Sequence, residues 1–171
     1  MTTTTSRDAD LRAIVEGTAT AVADDPDQAV ALFRATGEGA EGVRTELSIG
    51  RHAVTIDEPP ALGGEDAAIN PVEAALAALV SCQVVTYRFW AAKLGVPLDD
   101  VRVETEGDLD VRGFFGFDEA VRPGFGEVRL VVELKGPAST EDYSRLKETV
   151  DAHCPVLDLF RNTTPVTTRL G

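Results

Sequence analysis

Apolar positions recur along the chain with two periods, and each period marks a kind of element. In DADLRAIVEGTATAVA, residues 8–23, Leu11, Ile14, Val15, Ala19 and Val22 fall at helical spacing, which predicts a short amphipathic helix. The polar residues 1–7 before it read as disordered, and DDPDQ after it reads as a stop. Three segments with strand character follow. QAVALFRATG (28–37) is short and apolar, while VRTELSIG (43–50) and HAVTIDE (52–58) alternate as a half-buried sheet does, with IGRH suited to a tight hairpin turn between them. PPALGGEDAAI (59–69) is a proline- and glycine-rich loop.

Asn70 opens the longest apolar stretch, NPVEAALAALVSCQVV. Asn is a favoured N-cap, Pro71 suits the first helical position, and Glu73 falls where a capping box places its acid. Gly95 and Pro97 end the helix near Lys93 or Leu94. About 24 residues make it roughly 36 Å long, and its nearly all-apolar interior predicts that other elements wrap it. Beyond it, VRVETEG (101–107), DLDVRG (108–113) and EVRLVVELKG (127–136) read as strands, with an aromatic, glycine-broken loop at 113–126. Ser139 or Thr140 caps a helix, TEDYSRLKETVDAH, with Leu146 and Val150 inward. Cys154 and Pro155 then stand as N-cap and first residue of a short helix, CPVLDLFRN, and TPVTTRL (164–170) reads as a closing strand. The class is α+β, without internal repeat or linker.

Charge narrows the partners. Sixteen Lys and Arg stand against 29 Asp and Glu, a formal charge of −13, which repels nucleic acid and anionic membrane surfaces. No unbroken run of 18 apolar residues predicts a membrane span, and the first residues, MTTTTSRDADLR, lack the basic and apolar regions of a secretory signal, so the expected location is the cytoplasm. In that reducing compartment two cysteines are more often thiols or redox catalysts than a structural disulfide. Cys82, Cys154, His52 and His153 form no zinc spacing, so no metal is expected.

Periodicity alone favours Cys82 as a small core residue, since it shares a helix face with Ala75, Ala78, Leu79, Val85 and Phe89. Burial there should raise its pKa, and a mid-helix site gains little from the dipole at the helix N-terminus. Cys154 stands instead at a helix N-terminus, where backbone N–H groups favour a thiolate.

Taken in order, DEPPALGG, NPVEAALAALVSC, VRVETEGDLDVRG, HCPV and TPVTTRL resemble the superfamily of osmotically inducible protein C (OsmC) and organic hydroperoxide resistance protein (Ohr). The resemblance covers roughly residues 43–170. It divides the chain into a helical N-terminal extension with the first strand, 1–42, and an OsmC-like region, 43–171, within one compact domain. It implies an intertwined homodimer with long buried central helices flanked by antiparallel sheets. It also implies a cytoplasmic thiol peroxidase that reduces organic hydroperoxides, and hydrogen peroxide less well, in oxidative-stress defence. No cofactor is implied beyond an external thiol reductant, of dithiol or lipoyl type.

The same resemblance assigns residues. Cys82 matches the peroxidatic cysteine and Cys154 the resolving one, 72 positions apart in the chain. Glu73 resembles the acid that orients an arginine against the thiolate, but NPVE stands where one branch reads NPE. A capping box explains Glu73 as well, and nine positions of helix, about 13.5 Å, keep it from its own Cys82. Arg44 is the nearest match for the arginine, with Arg51 second, and the family's GGR is absent. Phe114, Phe115, Phe117 and Phe125 could line an apolar mouth for the substrate or simply pack in a dimer interface. His153 could donate a proton beside Cys154, though a capping or surface role fits it better. The missing signatures leave open an OsmC-fold small-molecule binding or chaperone-like protein without peroxidase activity, or a structural dimer module whose cysteines only pack.

Overall fold

The structure, a computed structural model, describes residues 4–171. The chain groups into two compact units, Gly17–Ala77 and Ala78–Gly171, the latter with the chain up to Glu16.

The first unit is built on an antiparallel sheet of three strands in sequence order, β1 (Ala35–Gly39), β2 (Thr45–Ile49) and β3 (His52–Ile56). Ile49 pairs with His52, so Gly50 and Arg51 form the two-residue turn that IGRH predicts. The expected strand at 28–37 is displaced. Pro26–Ala29 form a 3-10 turn capped by Asp25, and pairing with β2 begins only at Ala35. Val30, Leu32 and Phe33 in between are more than 70% exposed, so their apolar run finds no sheet to join in the single chain.

After β3 the chain folds around Asp57, which is 2% exposed. Its carboxylate accepts the backbone N–H groups of Glu65 (3.0 Å) and Ala67 (3.1 Å), satisfying loop donors that would otherwise be buried. The loop closes so tightly that a Cβ on Gly64 would lie 1.8 Å from the Glu58 carbonyl oxygen, which is why glycine stands there.

α2 (Pro71–Leu94) starts with the predicted capping box. The Glu73 N–H donates to Asn70 Oδ1 (2.8 Å) and the Asn70 N–H donates to Glu73 Oε2 (2.9 Å). Gly95, at φ 68, ends it. By length and composition alone α2 could cross a membrane. It serves instead as a core helix, as Gln83, Thr86 and Tyr87 show by being buried within the second unit. Yet it is not wrapped on every side. Ala78, Ser81 and Val85, one stripe at three- and four-residue spacing, are exposed.

In the second unit β4 (Asp100–Leu109) and β5 (Phe125–Lys135) pair antiparallel from Asp100–Lys135 onward, with an irregularity at Asp108–Leu109. α4 (Thr140–His153) is capped by Ser139, whose hydroxyl oxygen accepts the Asp142 N–H. Leu146 and Val150 of α4 meet Tyr87 and Ala91 of α2 and Val101 and Val103 of β4 in the main core. The helix α1 (Thr4–Asp24) extends beyond the expected 8–23, so residues 4–7 are helical; residues 1–3 of the expected disordered segment lie outside the described residues. Arg7 donates to the Leu98 carbonyl (2.8 Å) and Arg12 to that of Ala92 (3.1 Å), so α1 supplies cations to the C-terminal end of α2.

Two further expectations change. DLDVRG is no separate strand: Leu109 completes β4, and the Asp110 side chain accepts the Arg112 N–H, capping a one-turn helix α3 (Val111–Phe114). TPVTTRL forms no strand. Residues 163–171 are irregular and exposed, with Val166 81% exposed.

Candidate active site

Two adjoining helices bring the thiols together. The Cys154 N–H closes the last turn of α4 on the Val150 carbonyl (2.9 Å), and its own carbonyl accepts the Asp158 N–H (3.0 Å) of α5 (Pro155–Arg161). Cys154 is therefore the hinge residue between α4 and α5, with extended backbone (φ −82, ψ 113) that Pro155 after it favours. Its side chain makes no cap bond and turns into an apolar cluster with Leu79 and Leu157, against which Cys82, Val128, Leu130, Val156 and Phe160 pack. There the Cys154 Sγ lies 3.4 Å from the Cys82 Sγ, its thiol donating to the Cys82 sulfur. Both cysteines are free. Cys154 is 2% exposed, whereas Cys82 is half-buried.

Burial pushes the Cys82 thiol above its ordinary range, the backbone amide of Val156 pulls it down, the neighbouring Cys154 pushes it up again, and the Thr86 hydroxyl pulls it down. Thr86 sits one turn past Cys82 and donates to its carbonyl (2.7 Å). Burial also holds the Tyr87 phenol well above its ordinary range, with the charges of Asp151 and Cys154 adding to the effect.

The other candidate residues make contacts of their own. Glu73 is engaged in the capping box. Arg44, just before β2, sits 3.6 Å from Glu65 and 3.9 Å from Glu46. It helps the backbone N–H groups of Ala67, Glu58 and Glu65 hold the Asp57 carboxyl below its usual range. Arg51 is exposed in the hairpin turn. Phe114 meets Phe115 edge to face and Phe115 stacks on Phe117, centroids 4.9 and 5.3 Å apart, and the three are 48–75% exposed. Phe125 turns the other way, toward Phe160 (6.4 Å). His153 donates through Nδ1 to the Thr149 carbonyl (2.7 Å) and lies against Trp90 (4.4 Å), over whose ring Lys93 also stands (4.2 Å).

A cavity of about 400 Å³ adjoins the thiol cluster. Its apolar wall includes Leu79, Phe125, Leu130, Leu157 and Phe160, and its charged part consists of Arg122, Arg161 and Glu127. Of the four phenylalanines only Phe125 lines it. Sequence reasoning missed Thr86, Val156 and Leu157. Thr86 alone left a signal, as a polar residue one turn beyond the cysteine in an apolar helix. Among the described residues no group of three or more His, Cys, Asp or Glu could hold a metal ion.

Two free thiols thus stand in contact inside an α+β fold. The chain belongs to the family of OsmC-like proteins, whose family model matches residues 63–169. Solved structures share the fold. The OsmC-like protein of Mycoplasma pneumoniae superposes with a TM-score of 0.64 at 17% identity, over 77% of this chain and 88% of that one. The organic hydroperoxide resistance protein OsmC of Legionella pneumophila gives 0.60 at 21%, over 77% and 90%. The organic hydroperoxide resistance protein OhrB of Bacillus subtilis gives 0.55 at 20%, over 77% and 91%. No curated protein matches the chain.

Proposed function

We propose that this protein is a cytoplasmic, homodimeric thiol peroxidase that reduces organic hydroperoxides. The observation that carries the reading is the 3.4 Å separation of two free cysteine sulfurs 72 positions apart. The Cys82 thiolate attacks the distal oxygen of ROOH, the O–O bond breaks, and the alkoxide leaves to be protonated as ROH. Cys82 becomes a sulfenic acid. The Cys154 sulfur displaces its oxygen as water, forming the Cys82–Cys154 disulfide. A dithiol, of lipoyl type or another, returns both cysteines to thiols and carries away the two electrons' worth of oxidation as its own disulfide.

The apolar wall of the cavity beside the cluster suits an alkyl or acyl hydroperoxide better than hydrogen peroxide. Three uncovered apolar stretches support a homodimer: the Ala78, Ser81 and Val85 stripe of α2, the segment Val30–Phe33, and the tail around Val166 and Leu170. In that assembly Arg44 and Glu73 of a partner copy would act on Cys82. A second reading, a binding protein of the same fold without peroxidase activity, is favoured by one observation: burial is the largest influence on Cys82, and it acts against the thiolate.

Turnover of cumene hydroperoxide with excess dithiol separates the two readings. Release of cumyl alcohol by the wild type, abolished in Cys82→Ser, supports the peroxidase. Its absence from the wild type leaves the binding protein. Sedimentation of a monomer at micromolar concentration would contradict the dimer.

A further inference from the structure

The geometry points to Arg122 as the residue that makes the cavity beside the thiol pair selective for ligands carrying a carboxylate. The cavity shares Leu79, Leu130, Leu157 and Phe160 with the apolar cluster around Cys154, and these side chains suit an alkyl chain. Its charged groups differ in how far they are already engaged. Glu127 accepts a hydrogen bond from Arg129 Nη1 (2.8 Å). Arg161 donates to the Asp151 carbonyl (3.3 Å) and carboxylate (3.4 Å). Among the described residues no carboxylate pairs with Arg122. In a chain of formal charge −13 carboxylates are abundant, yet none is placed against this guanidinium.

Close approaches of the backbone place Arg122. A Cβ on Gly113 would stand 2.5 Å from the Arg122 carbonyl oxygen, so the two ends of the aromatic loop press together there. A Cβ on Gly124 would stand 3.5 Å from Arg122 Nη2 and 3.9 Å from Nε. The guanidinium therefore lies over the bare backbone of Gly124, itself part of the cavity wall. On its other side Arg122 borders a second cavity, whose carboxylates Asp108 and Asp110 are held by Arg129 and Arg112. A planar guanidinium presents paired N–H donors that match the two oxygens of a carboxylate. The alkyl part of the same molecule would lie on the apolar wall. Arg122 is exposed, so solvent screens the ion pair and its effect is modest. On the peroxidase reading, on which the physiological ligand rests, the ligands selected are hydroperoxides with a carboxylate remote from the peroxide group. Carboxylate binding itself can be measured without any peroxide.

Octanoate and methyl octanoate share a chain and differ in charge, and each is titrated into the reduced protein by calorimetry. Octanoate should bind about fivefold more tightly than the ester. Arg122→Gln should abolish that preference by weakening octanoate while leaving the ester unchanged, and Arg122→Lys should retain part of it. Thermal unfolding of both variants should match the wild type, since the side chain is exposed and pairs with no carboxylate of the chain. Equal affinity of the wild type for acid and ester, a preference that survives Arg122→Gln, or no binding of octanoate would each overturn the assignment. If the preference depends on Arg122 while the wild type consumes no hydroperoxide, the selectivity stands and the peroxidase reading falls. If cumene hydroperoxide is consumed and the preference is absent, the peroxidase reading stands and the role of Arg122 falls.

Discussion

The sulfurs of Cys82 and Cys154 lie 3.4 Å apart, although the first sits in the middle of α2 and the second at the corner between α4 and α5. No local sequence feature could bring them together. Leu79 and Leu157 do so, by closing one apolar cluster around both. Removing a wall of that cluster, as in Leu79→Ala, should cost about 2–5 kcal/mol. It should also slow disulfide formation, measured by urea unfolding and by thiol loss under mild oxidant.

Oxidation should join the two residues within one chain and with little rearrangement. Peptide mapping after diamide treatment should recover a Cys82–Cys154 link. The loop it closes is long, so the oxidised protein should resist urea better than the reduced one, by up to about 4 kcal/mol on chain-entropy grounds. A mixture of intermolecular links would contradict this.

The raised pKa of Cys82 sets a direction with pH. Folding favours the protonated thiol, so this contribution to stability is complete below the unfolded value of 9.0 and is lost as pH rises through the higher folded value. Reduced protein should therefore lose stability above pH 9 more steeply than Cys82→Ala. Unfolding midpoints between pH 8 and pH 10.5 or so test it, and parallel curves would argue against a raised pKa.

Asp57 gives the opposite sign. Its carboxyl is held below the ordinary 3.8 first by backbone N–H donors, so its contribution is present above that value and lost as pH falls through the lower folded value. Asp57→Asn should destabilise the protein at neutral pH and flatten its acid unfolding curve below pH 4. Unchanged acid unfolding would place the loop's anchor elsewhere.

The capping box separates two possible tasks of Glu73. Asn70→Ala should cost about 1 kcal/mol of stability through the lost N-cap. Glu73→Gln keeps an oxygen able to accept the Asn70 N–H and should unfold close to the wild type. A slower peroxide reaction in Glu73→Gln at unchanged stability would assign the carboxylate a part in the chemistry.

Local signals carried far in this sequence. Asn70, Pro71, Glu73 and Gly95 bounded α2 correctly because caps act through the nearest few residues, and Ser139, Cys154 and Pro155 bounded α4 and α5 for the same reason. What failed depended on a partner strand. Val30–Phe33 and 164–170 have strand composition, yet a strand exists only where another edge accepts its hydrogen bonds, and neither segment is paired with one. At 108–113 the Asp110 side chain captured the Arg112 N–H and turned the backbone into α3. The two cysteines were legible through the family resemblance. Thr86 and the Val156 amide were not, because their influence on Cys82 comes from helix phase and from the turn at Cys154, which periodicity alone does not place.

The most direct test of the central claim needs only the reduced protein and one equivalent of cumene hydroperoxide without reductant. The account predicts loss of both free thiols, recovery of the Cys82–Cys154 disulfide on mapping, and no thiol loss in Cys82→Ser. Two thiols still titrating after hours of exposure would contradict it.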